Sequence, residues 1–87
     1  MMVFVKTLTG LTIEFEETKN TTIFEIKAKV QEKTGLSLWD QTLIYSGQRL
    51  ADESSLEDIS FSSGDSLHLI LILRGSKNSQ ISNKFRK

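Results

Sequence analysis

The chain has 87 residues, of which 38% are hydrophobic and 25% charged, with a formal net charge of zero. This is the composition of one small globular domain and not of a disordered chain. The sequence has no cysteine, no apolar run long enough to cross a membrane and no export signal. We therefore expect no disulfide framework, no membrane contact, and a location in the cytoplasm or the nucleus.

The charge is unevenly distributed along the chain. The last eleven residues contain four basic side chains and no acid, so they carry +4 and residues 1–76 carry −4. Residues 76–87 also lack hydrophobic periodicity, and we expect a disordered basic tail there. A weakly acidic body with a short basic tail does not favour nucleic-acid binding, and none is expected.

The first seventeen residues predict a β-hairpin. Apolar residues alternate onto one face on both sides of the turn: Met1, Val3, Val5, Ile13 and Phe15. Gly10 supplies the positive φ that the turn requires, and Phe4 points to the opposite face. Glu17 follows on the inward register. Because a buried unpaired carboxylate is costly, we expect Glu17 to reach solvent at the strand end.

The next segment changes to a helical period. Thr22 and Glu25 have the spacing of a capping box. An apolar stripe follows at i, i+3 and i+7, made by Ile23, Ile26 and Val30. Gly35 is placed to end the helix as a left-handed residue. No other segment of the sequence predicts a helix convincingly.

The second half of the chain predicts strands around one loop. Residues 41–50 contain a strand, a Ser46-Gly47 turn and a short return strand. Residues 51–66 are typical of a loop, anchored to the core by Leu56, Ile59 and Phe61. The final strand begins at Leu67, and its apolar run to Leu73 is interrupted only by His68.

These elements predict an α+β fold of four or five strands crossed by one helix. One helix can cover only one face of a single sheet. Leu67 and Leu69 therefore belong on the covered face, whereas His68 and Ile70 belong on the open face. An exposed apolar patch results if the strand order brings Ile44 and Leu8 beside them, but periodicity does not supply that order.

Five stretches of the sequence carry a resemblance to a known family: FVKTLTG, TTI, KAKVQEKTGL, LIYSGQRL and LHLILILRG. In fixed register from Met1 to Gly75, they resemble ubiquitin and the ubiquitin-like proteins. The resemblance implies a β-grasp (ubiquitin-like) roll over residues 1–75, with a mixed sheet. It also implies that Leu8, Ile44, His68 and Ile70 cluster into the surface that, in this family, docks helical partners. The candidate partner-binding residues are Leu8, Ile44, Gly47, His68, Ile70, Leu71 and Leu73.

Two further sets of candidates accompany the resemblance. A secondary patch comprises Phe4, Leu36 and Trp39. Trp39 is either a partly packed loop residue or an added partner anchor, since tryptophan is enriched among binding hot spots. The candidate modification sites are the lysines that remain at family positions: Lys6, Lys27, Lys29 and Lys33.

The chain departs from the family at its end and beside the patch. The diglycine of the modifiers falls on Gly75-Ser76, and eleven residues follow. Because activation requires a C-terminal glycine carboxylate, we do not expect the chain as written to be conjugated, and Gly75 and Ser76 are a candidate processing site. The arginines that flank the patch in ubiquitin fall on Thr42 and Ile72. The nearby cations are then Lys6, Arg49 and Arg74.

The sequence offers no constellation for catalysis. His68 is the single histidine and has no cysteine to pair with, so we interpret it as a surface residue beside the patch. The acids of residues 52–58 lack the ligand spacing of a calcium loop. We therefore expect no enzymatic activity, no metal and no cofactor.

The leading interpretation is a monomeric, non-conjugated ubiquitin-like interaction module. Its partners would be proteins with ubiquitin-interacting helices or ubiquitin-binding domains, proteasome subunits among them, docked on the apolar sheet face. Two alternatives stay open. The chain is the precursor of a covalent modifier processed after Gly75, or it is the N-terminal ubiquitin-like domain of a larger ligase, protease or shuttle factor.

Overall fold

A computed structural model describes residues 1–72 as a five-stranded sheet crossed by one α-helix. The elements are β1 (Met2–Thr7), β2 (Thr12–Glu16), α1 (Ile23–Thr34), a 3-10 helix (Leu38–Asp40), β3 (Gln41–Tyr45), β4 (Gln48–Arg49) and β5 (Ser66–Leu71). The strand order is β2-β1-β5-β3-β4; β1 and β5 pair in parallel and the other pairs are antiparallel. The sheet is therefore mixed, and the fold is the expected β-grasp. The expected tail, residues 76–87, lies outside the described residues.

The core lies between α1 and one face of the sheet. It contains twelve buried apolar side chains, with the three residues of the α1 stripe among them. Of the predicted loop anchors, Leu56 and Phe61 are buried and Ile59 is half-buried against the core. Leu67 and Leu69 of β5 are buried, whereas His68 is exposed and Ile70 is 36% exposed. The predicted division of β5 into a covered and an open face is confirmed.

The ends of α1 are fixed by the local signals in the sequence. The Thr22 hydroxyl accepts a hydrogen bond from the backbone N–H of Glu25 at 3.2 Å, and the Glu25 carboxylate accepts one from the Thr22 N–H at 2.8 Å. Gly35 adopts a φ of 80°, and its N–H donates to the carbonyl of Gln31 at 2.8 Å. Both the capping box and the glycine stop are confirmed.

The environment of Glu17 differs from the prediction, which was wrong. Its side chain is only 4% exposed and does not reach solvent. Lys29 donates from Nζ to one carboxylate oxygen at 2.6 Å, and the Thr21 hydroxyl donates to the other at 3.1 Å. Burial is tolerated because α1 supplies a cation and both carboxylate oxygens are hydrogen-bonded. Strand periodicity locates Glu17 correctly on the inward side, but it carries no information on this partner from the helix.

Candidate protein-binding surface

The pairing register places four residues in one row across the open face of the sheet. Lys6 of β1 lies opposite His68 of β5, His68 lies opposite Ile44 of β3, and Ile44 lies opposite Arg49 of β4. Directly paired residues point to the same face of a sheet. We call this set, Lys6, His68, Ile44 and Arg49, the open-face row. It has a cation at each end.

A second, uncharged row runs beside it. Ile70 of β5 lies opposite Thr42 of β3, one pleat repeat away from the open-face row. Ile72 continues the same face, is 37% exposed, and donates its N–H to the carbonyl of Asp40 at 2.7 Å. Isoleucines and a threonine therefore extend the surface on this side without adding charge. The strand order supplies what periodicity could not, because it puts β5 between β1 and β3.

The β3–β4 turn beside the open-face row has a rigid construction. Ser46 and Gly47 both have positive φ, 53° and 78°, which is the pattern of a type I′ hairpin turn. Tyr45 anchors its start, since the Tyr45 ring packs on Phe61 with 5.3 Å between ring centroids and its hydroxyl donates to the Asp65 carboxylate. That hydrogen bond to Asp65 raises the pKa of Tyr45. Gly47 is thus held at the end of β3 by contacts from the covered side.

Leu8 occupies a different position from the two rows. It lies in the β1–β2 turn and is 84% exposed. The turn is closed by Thr7, whose N–H donates to the Leu11 carbonyl at 2.9 Å and whose hydroxyl accepts from the Leu11 N–H at 3.1 Å. Leu8 lines an apolar groove of about 290 Å³, the edge groove, formed with Thr7, Thr9, Leu11, Thr34, Leu36, Leu69 and Leu71.

The edge groove includes a residue that the sequence analysis did not select. Leu11 is 50% exposed and lines the groove with Leu71, which is 43% exposed. The signal available was a second leucine in a turn, where polar residues are usual. The side-chain amide of Gln41 fixes one wall, because its Nε2 donates to the carbonyls of Leu36 at 3.1 Å and Lys27 at 3.2 Å.

The secondary patch expected from the resemblance is not one surface. Phe4 is half-buried on the open face of β1, opposite Glu14 and Ser66. Leu36 instead packs against the core and lines the edge groove. Trp39 lies in the 3-10 helix and is 64% exposed. Of its two interpretations, the partly packed loop residue does not fit this exposure. Phe4 and Leu36 lie on different faces, so we treat the three residues separately.

The four candidate lysines differ in how far they present their amines. Lys6 and Lys33 are exposed. The side chain of Lys29 is 45% exposed but its Nζ is bound to Glu17. Lys27 is buried, and its Nζ donates to the Asp52 carboxylate at 2.6 Å, so its amine is not presented to solvent. The remaining candidates, Leu73, Gly75 and Ser76, lie outside the described residues.

Other kinds of site find no support within residues 1–72. This part of the chain contains no group of three or more histidine, aspartate or glutamate side chains arranged to hold a metal ion. Its one α-helix is too short and too polar to cross a membrane.

Comparison with known proteins gives consistent matches over the described fold. The model of the ubiquitin family matches residues 3–74. Ubiquitin-like protein 1 of Schizosaccharomyces pombe is 43% identical over 75 residues, which cover 86% of this chain and 96% of that protein. Ubiquitin-like protein NEDD8 of Dictyostelium discoideum is 40% identical over 86% of this chain and 97% of its own length. AN1-type zinc finger protein 4 of Mus musculus is 33% identical over 86% of this chain, which corresponds to 10% of that protein.

Proposed function

The chain belongs to the ubiquitin family, and from this premise we propose that it is a non-conjugated interaction module. Its open sheet face binds proteins with ubiquitin-interacting helices or ubiquitin-binding domains, proteasome subunits among them. The observation that carries the proposal is the juxtaposition of Ile44, His68 and Ile70 on an uncovered face of a rigid sheet. The module acts as a monomer in the cytoplasm or the nucleus and has no catalytic role.

The energetics of such a surface suit a weak, reversible contact. Burying an isoleucine that is otherwise exposed contributes about 1–3 kcal/mol, and Ile44 and Ile70 are the two isoleucines that a helix on this face would cover. Association also costs several kcal/mol in lost translational and rotational freedom. A partner helix that supplies leucine, isoleucine or alanine can therefore bind, and the affinity of one site is modest.

Truncation of Ile44 tests the proposal. The probe is a synthetic ubiquitin-interacting helix, and its affinity is measured by isothermal titration calorimetry with wild-type protein and with Ile44→Ala. We expect Ile44→Ala to weaken binding at least about tenfold, since about 1.4 kcal/mol corresponds to a factor of ten. Phe24→Ala is the matched control, because Phe24 is 42% exposed on α1, away from the open face.

Circular dichroism of both variants establishes that they are folded. Unchanged affinity in folded Ile44→Ala overturns the proposal. An equal loss in Phe24→Ala also overturns it, since the contact would then not be confined to the open face.

A second candidate function is that of a covalent modifier made as a precursor. It is favoured by two relatives that the chain matches over 96% and 97% of their own lengths, one of which is named NEDD8. In this case a protease cuts after Gly75. The intact mass of the cellular protein separates the candidates: a chain ending at Lys87 supports the module, and one ending at Gly75 supports the modifier. A much larger species supports a domain within a longer protein, as for the zinc finger relative.

A further inference from the structure

The charges of the open-face row indicate the chemistry of the partner. Resting on the proposed function, we propose that the partner is an amphipathic helix that crosses the strands and carries a carboxylate on each side of its apolar centre. The carboxylates bind Lys6 and Arg49, and the apolar centre covers Ile44 and Ile70.

Lys6 and Arg49 are available for such contacts. Both are exposed, and within residues 1–72 neither forms an ion pair. They lie at opposite ends of the same row, with His68 and Ile44 between them. Exposed cations that bracket an apolar centre select partners by charge complementarity and fix the direction in which a helix can lie.

The acidic residues of the sheet determine on which side of the row the helix lies. On the β2 side, Glu14 lies opposite Phe4, and Glu16 lies opposite Met2. These carboxylates repel an acidic helix placed over the Phe4 end of the face. On the other side, the Ile70–Thr42 row has no charge. The helix therefore covers the open-face row and the Ile70–Thr42 row together.

The strand spacing sets the spacing of the two carboxylates. Neighbouring strands are about 4.8 Å apart, so the three steps from Lys6 to Arg49 span about 14 Å. A helix rises about 1.5 Å per residue, and positions i, i+4, i+7 and i+11 lie on one stripe. Glutamates at i and i+11 are about 16 Å apart along the axis, which suits two long side chains that lean outward. Apolar residues at i+4 and i+7 then face Ile44 and Ile70.

Three synthetic helical peptides test the inference. All carry the same apolar residues at i+4 and i+7; positions i and i+11 are both glutamate, both glutamine or both lysine. We expect the glutamate peptide to bind about tenfold more tightly than the glutamine peptide at about 20 mM salt, and the lysine peptide to bind most weakly. At about 500 mM salt the difference should fall below about twofold, because exposed charges are screened.

Protein variants locate the charges that respond. Lys6→Gln combined with Arg49→Gln should abolish the preference for glutamate over glutamine. Lys33→Gln in α1 is a control of the same charge change and should keep that preference.

The outcomes distinguish this inference from the proposed function. If all three peptides bind equally and Ile44→Ala abolishes their binding, the charge inference is overturned and the proposed function stands. If the glutamate preference survives in the Lys6 and Arg49 double variant, the inference is also overturned. If Ile44→Ala leaves the binding of every peptide unchanged, both are overturned.

Discussion

Glu17 and Lys29 form an ion pair whose two side chains differ in environment. The carboxylate is 4% exposed, while the lysine side chain is 45% exposed and can reach water along much of its length. Removal of the lysine leaves a buried carboxylate with only the Thr21 hydroxyl as a partner. Removal of the glutamate leaves an amine that water can solvate. The two deletions are therefore expected to have unequal effects.

Replacement of Lys29 tests this asymmetry. We expect Lys29→Met to lower the free energy of unfolding by about 1–3 kcal/mol, because it leaves the buried carboxylate without a cation. Addition of Glu17→Val to Lys29→Met should recover most of that loss. Urea denaturation measures both, with Lys33→Met as an exposed control that changes stability by less than about 0.5 kcal/mol. Equal effects of Lys29→Met and Lys33→Met would show that the pair does not stabilise the fold.

The accessibility of the lysines predicts an order of chemical reactivity. Lys6 and Lys33 should react fastest with a small acylating reagent, Lys29 more slowly, and Lys27 slowest, because its amine is buried and paired with Asp52. Limited acetylation of the folded protein followed by peptide mass spectrometry measures the order. Acetylation of Lys27 as early as Lys6 would contradict it. The same order limits which lysines an enzyme can modify without opening the fold.

At the scale of elements, the start of α1 combines two hydrogen bonds between Thr22 and Glu25 with tertiary contacts. The N–H groups of Ile23 and Phe24 donate to the carbonyls of Ser54 and Asp52. The first turn of the helix is thereby tied to the loop that returns toward β5. The capping box satisfies donors that the loop does not reach.

Loss of the cap should therefore destabilise the domain measurably. We expect Thr22→Ala to lower the free energy of unfolding by about 1–2 kcal/mol, because the N–H of Glu25 loses its acceptor. Glu25→Gln is the conservative comparison, since glutamine can also accept from the Thr22 N–H, and it should cost less. Thermal and urea unfolding of the two variants provide the measurement. An equal or larger loss in Glu25→Gln would mean that its charge matters more than the cap.

Local elements of this fold could be predicted because each carries its own signal. Alternation defines the first hairpin, Thr22 and Glu25 begin the helix, and Gly35 ends it. The side assignments of Leu67 and Ile70 followed from counting helices against sheet faces. The strand order, the Lys29 partner of Glu17 and the edge groove around Leu11 depend on contacts distant in sequence. Periodicity does not encode these, and the resemblance supplied only the strand order.

At the scale of the whole molecule, β5 links stability and recognition. It is the central strand, and it pairs in parallel with β1 and antiparallel with β3. Leu67 and Leu69 face the helix, while His68 and Ile70 face outward. The binding face is therefore the reverse side of the core, held in place without a loop. Such a surface requires little reorganisation when a partner docks.

The most direct test of the central claim is a chemical-shift map of the protein titrated with an unlabelled ubiquitin-interacting helix. Backbone amide spectra report where the peptide contacts the domain, independently of any substitution. The account predicts that the largest shifts fall on Ile44, His68, Ile70 and their strand neighbours in β3 and β5. It is contradicted if the largest shifts fall on the exposed face of α1, or if residues of the edge groove shift while Ile44 and His68 do not.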